Sequence, residues 1–265
     1  MTKAISMTVV RRHLGLAVLA LVSALGCGAQ TYEQRLAETA RYFEYRERVD
    51  TALDSRPWQS SGIELRPPKG FSELPAPAEG EPDQRQPEFI SKPLPGLLGA
   101  WKTELQVDIP NSDTPTKPAW MFACSNHRLW LDRETNINIV PSAYHADLND
   151  VLADNFGFKR SNATAPWKFV EERVPKGVPY VPYKSFDYIV LDHNIDQLGG
   201  VLYDIILYRY IVKEIQLAII VVAPQALDRR ERLHDKMLLL MEQLSMSGEV
   251  PKSAQKKKVT SGGGI

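Results

Sequence analysis

The sequence predicts an α+β domain, an antiparallel β-sheet covered by a C-terminal helix. Three observations carry that prediction. Leu202, Ile206, Tyr208, Tyr210 and Val212 form one apolar and aromatic run, and Ile215–Val222 resumes it as IQLAIIVV after Lys213 and Glu214. β-branched and aromatic residues at this density suit a buried pleated surface. Asp204, Arg209, Lys213, Glu214 and Gln216 punctuate the run too often for a membrane span. Beyond Pro224, Leu233, Met237, Leu240, Met241 and Leu244 recur at helical spacing, and Gly248 follows as a stop. A strand pair with a covering helix is the core of a layered α+β domain.

Composition narrows the classes. The chain has 265 residues, 32 of them basic and 32 acidic, so it has no net basic field of the kind that nucleic-acid binding needs. A hydrophobic content of 43% is ordinary for a globular domain. The only cysteines are Cys27 and Cys124, which allow one disulfide at most.

Taken in order, residues 1–26 read as an export signal. Arg11 and Arg12 form a positive n-region, and Leu14–Leu25 is an apolar h-region too short to span stably. The stretch Ser23-Ala24-Leu25-Gly26-Cys27 resembles a bacterial lipoprotein signal peptide, in which a small residue precedes a cysteine that is acylated and becomes the first residue. That family prefers Leu three places before the cysteine and a small residue two before it, where this chain has Ala24 and Leu25. Cleavage after Ala29, with Cys27 and Ala29 as the small pair, is the alternative. Arg11-Arg12 matches twin-arginine export poorly. Acylation of Cys27 leaves Cys124 a free thiol.

Residues 27–59 then hold the anchor and a helix over Thr31–Leu53. Thr31 and Gln34 have capping-box spacing, Leu36, Tyr42, Phe43, Tyr45, Val49 and Leu53 make an uneven apolar stripe, and Glu44–Arg48 is an i,i+4 pair. Such a helix packs on its own domain or serves as a stalk. The α+β domain is expected over residues 60–245. Its strands are predicted near Gly62–Phe71, Trp101–Val107, Trp120–Leu131, Trp167–Val174 and Ser185–Leu191, with a helix over Tyr144–Asn155 that turns Leu148, Val151 and Leu152 inward. Ala76–Gln86 and Asn111–Pro118 read as loops. Residues 246–265, with Lys256-Lys257-Lys258 and no apolar period, read as a disordered tail.

The order of elements, with the Pro68-Lys69-Gly70-Phe71 turn after a short strand and the Ile215–Val222 strand before the last helix, is similar to the PsbP-like α-β-α sandwich, named after the extrinsic P protein of photosystem II. The resemblance covers residues 60–245. It implies a binding or assembly module, and it carries no active-site residues.

Four groups of residues have chemical potential. Cys124 and His127 are a thiol and an imidazole three apart on a predicted strand, which points them to opposite faces and leaves Cys124 as a buried apolar residue. Asp192-His193-Asn194-Ile195-Asp196 places oxygen ligands Asp192, Asn194 and Asp196 at alternate positions, as a calcium loop begins. Gln197 and Tyr203 stand where that loop needs glycine and a bidentate glutamate, so Asp192–Gly200 reads better as a polar loop between strands. Asp147, Asp150 and Asp154 share one helix face, which suits a solvated surface, and His145 lies off their line. No phosphate loop, Cys-x-x-Cys, nucleophile elbow or His-Glu-x-x-His occurs.

The expectation is a lipid-anchored lipoprotein of the bacterial cell envelope, facing the periplasm or exterior. It would be a non-catalytic binding or assembly module with a possible envelope protein partner, no cofactor and no nucleic acid. The alternative is a metal-dependent hydrolase using Asp192, His193 and Asp196.

Overall fold

A computed structural model describes residues 7–78, 81, 83–108, 116–161, 164, 166–195, 198, 201–229 and 231–251, with side chains from residue 29 onward. The chain divides into two compact units, Met1–Asp50 with Lys176–Pro182, and Thr51–Pro175 with Tyr183–Ile265.

The first unit is carried by α1, which runs from Met7 to Ala52. Thr31 is therefore internal to a helix and not its cap. Gln34 donates instead to the Glu38 carboxylate at 2.9 Å. The stripe divides: Tyr45 and Val49 are buried, whereas Leu36 and Phe43 are 57% and 65% exposed. From the 176–182 segment, Tyr180 donates its hydroxyl to Glu38 and sets its ring edge-on to Tyr42. Cys27 lies on the α1 backbone, outside the residues whose side chains are described.

The second unit is an α+β sandwich around a seven-stranded, wholly antiparallel sheet. The strands are β3 (Ser72–Glu73), β4 (Leu97–Gln106), β5 (Thr116–Ser125), β6 (Val170–Val174), β7 (Lys184–Ile195), β8 (Val201–Val212) and β9 (Ile215–Pro224). Their order across the sheet is β3-β4-β5-β9-β8-β7-β6. β9 is the central strand, and side chains on both its faces are buried, as its continuous apolar run requires. Ala218, Ile220 and Val222 join Phe122, Tyr203, Ile205 and Leu207 in a core closed by Tyr144, Leu148, Leu152 and Phe156 of α3 (Tyr144–Phe156). By strand alternation, Leu217, Ile219 and Val221 point the other way.

That second face carries α4 (Leu233–Gln243) and a three-stranded sheet of β1 (Trp58–Ser60), β2 (Ile63–Leu65) and β10 (Ser245–Met246). Leu233, Met237, Leu240, Met241 and the following Leu244 are all buried, and the His234 ring meets Tyr188 of β7. Trp58 crosses Trp101 of β4 at 5.1 Å between ring centres. A Cβ on Gly99 would stand 2.6–2.7 Å from those two rings, so only glycine lets them pack there. The Pro68–Phe71 turn closes with the Phe71 amide donating to Pro68, and Gly70 holds a φ of +94° that disfavours a side chain.

Three expectations are corrected. The strand expected over Trp120–Leu131 stops at Ser125, and α2 (His127–Arg133) follows. Asn126 makes the break: its Oδ1 accepts the Gln216 amide, and its Nδ2 donates to the carbonyls of Pro141 and Glu214. Asp192–Asn194 belong to β7, because they pair in register with Asp204, Tyr203 and Leu202 of β8. Ser245–Met246 add to β2, so ordered chain passes the expected boundary at residue 245. Residues 252–265 lie outside the described residues.

Candidate functional site

Strand geometry decides what Asp192, His193 and Asn194 can do. Asp192 and Asn194 are exposed on one face of β7, and His193 points to the other. The His193 ring meets the rings of Phe156 and Phe158, each at 5.6 Å. Asp192 faces Asp204 across the β7–β8 ladder. Burial, and after it the facing Asp192 charge, lifts the Asp204 carboxyl above its ordinary range, against a hydrogen bond from Gln225. Asp196 lies outside the described residues. Thus Asp192 and His193, nominated together as hydrolytic residues, lie on opposite faces of one strand. Among the described residues, no group of three His, Cys, Asp or Glu side chains is placed to hold a metal ion.

Cys124 is a buried core residue. Burial pushes its thiol up to about 12, against the Arg85 charge and a bond to Tyr144. At neutral pH it is a protonated thiol, not a nucleophile. His127 begins α2 instead of continuing the strand, and it lines an open cleft of about 410 Å³ with Ser61, Gly62, Ser247 and Glu249. Ser61 and Gly62 both have positive φ, which is the backbone of a two-residue hairpin turn joining β1 to β2.

Of the three helix carboxylates, Asp147 and Asp150 are exposed, as a solvated face requires. Asp154 is bridged by Arg160 and Lys92, each at 2.7 Å, and the Arg160 bonds foremost hold its carboxyl down to about 2.

A buried polar cluster around His145 lies outside the expected sites. His145 on α3 is 8% exposed, with Nε2 3.1 Å from the Leu217 carbonyl oxygen. Burial lowers its pKa to about 4, so the ring is neutral and donates from Nε2. Arg209 of β8 donates to Asp187 of β7 at 3.0 Å and lies 3.4 Å over the Phe169 ring. Both charges are felt at His145. The buried Nε of Arg209 has no partner, nor does Oδ1 of Asn149, one turn beyond His145. The sequence signal was an arginine within a strand expected to be buried. Its neighbours come from a loop, a helix and the preceding strand, which no local pattern links. This cluster can order the α3 layer, but it presents no nucleophile beside a base.

No family model matches the chain, and no curated protein matches it.

Proposed function

We propose that the chain is a lipid-anchored module of the bacterial envelope, tethered through Cys27, whose role is to bind or assemble and not to catalyse. The observation that carries this reading is the exposed apolar stripe of α1. Tyr32, Leu36 and Phe43 are 69%, 57% and 65% exposed on the segment that follows the expected acylation site. Large apolar side chains gathered on an exposed face mark an interaction surface. The antiparallel sheet with α3 on one face and α4 on the other, and the Pro68–Phe71 turn, support a PsbP-like domain after that helix. The separation of Asp192 from His193 favours binding over hydrolysis.

Acyl chains on Cys27 would hold the protein at a membrane, since each buried methylene contributes about 0.8 kcal/mol. Intact-mass analysis of the membrane fraction tests the anchor. An N-terminal acylated Cys27 is expected, and Cys27→Ala should release the protein or leave it unprocessed. A mature chain beginning with unmodified Gln30 would overturn the lipoprotein reading.

A further inference from the structure

We propose that the exposed stripe of α1 pairs with the same stripe of a second copy of this chain, in parallel orientation. This names a partner for the interaction surface on which the functional reading rests, and it does not depend on acylation. Tyr32, Leu36, Thr39 and Phe43 are all exposed and recur at the 4-3-4 spacing of a helix–helix seam. Thr39 is the one polar member, and it is small enough to let two backbones approach between the larger side chains. The seam lies apart from the face on which Tyr45 and Val49 are buried.

The flanks of the seam select the partner and its direction. Arg35 lies on one side and Glu33 and Glu47 on the other, while Arg46, three residues past Phe43, takes the next seam position beside Glu47, and all four are exposed. When two such helices pack in parallel about a two-fold axis, the basic flank of each faces the acidic flank of its mate. Arg35 then lies within a turn of Glu33, and Arg46 of Glu47, each pairing made twice. Antiparallel packing sets basic flank against basic flank and acidic against acidic. Arg46 also donates to the Tyr42 hydroxyl at 3.4 Å, which holds its stem along the helix.

The seam spans about 17 Å at 1.5 Å per residue. That is short for an interface between free proteins, which covers roughly 800 Å² on each partner. Association is therefore weak in dilute solution and grows where copies are confined together.

The test uses the full chain in detergent micelles. Tyr32→Cys and Phe43→Cys are oxidised separately and mixed, and the cross-linked peptides are identified by mass spectrometry against the unsubstituted chain. Links of 32 to 32 and 43 to 43 are expected. Dominant 32-to-43 links, or no links above the unsubstituted chain, would overturn the proposal. Charge reversal gives a second readout by sedimentation. Arg46→Glu and Glu47→Arg should each weaken association by about fivefold, and the double variant should restore it. A double variant no better than the singles also overturns it. Capture of a different envelope protein by the same cysteines, with no self-links, removes the second copy while leaving the binding-module reading intact.

Discussion

Lys184 at the start of β7 donates from Nζ to the carbonyl of Leu244, just past the last turn of α4, and also to that of Glu242. One ammonium thus closes a helix end that has no basic residue in its own last turn. It couples the covering layer to the sheet through charge-assisted bonds and through the negative end of the helix dipole.

Lys184→Met should lower stability by about 1–3 kcal/mol, because it keeps most of the side-chain volume but leaves two carbonyls without that donor. Urea denaturation reads this as a lower midpoint at unchanged slope. An unchanged midpoint would show that water caps the helix equally well.

His145 predicts an acid sensitivity. Its folded pKa is about 4, below its ordinary value of 6.5. The unfolded chain therefore takes up a proton first as pH falls. The stability associated with the neutral ring is complete above pH 6.5 and is lost as pH falls through about 4. The loss is roughly 2–4 kcal/mol. Comparing urea midpoints at pH 7 and pH 4.5 should show a smaller drop in His145→Gln than in the parent. Equal drops would assign the acid loss to other groups.

Asp192→Asn should stabilise the fold slightly, by about 0.5 kcal/mol at pH 7, because it removes a like charge opposite Asp204. Asp204 has a raised folded pKa, so its penalty is present at neutral pH and fades as acid protonates it. The gain should accordingly vanish in acid. If Asp192→Asn instead lowers the melting temperature only when divalent cations are present, the pair binds a cation.

The segment from Val201 to Leu244 was legible because burial acts there through local sequence. Ile215–Val222 is apolar without alternation since both faces of β9 are covered, and the five buried apolar positions from Leu233 to Leu244 mark one stripe along α4 and its end. The end of β5 was hidden because Leu129, Trp130 and Leu131 continue its apolar character into α2. What stops the strand is Asn126 bonding to Gln216, Glu214 and Pro141, residues far along the chain. Asp192–Asn194 looked like loop because their polar residues fall on the exposed face of β7, while His193 fills a slot between aromatic rings that the sequence does not announce. The His145–Arg209–Asp187 cluster exists only after three distant segments meet.

The position of β9 sets an order of assembly. β4 and β5 pair with each other, and so do β7 and β8, but the two pairs share no edge until β9 lies between them. β9, at Ile215–Pro224, comes after both of them in sequence. As the polypeptide emerges from the ribosome, the two hairpins wait as separate half-sheets with open inner edges. The sheet closes only after β9, which follows both hairpins in sequence, has joined them. A chain delivered across a membrane in extended form would meet the same requirement, since the strand that joins the halves follows both of them.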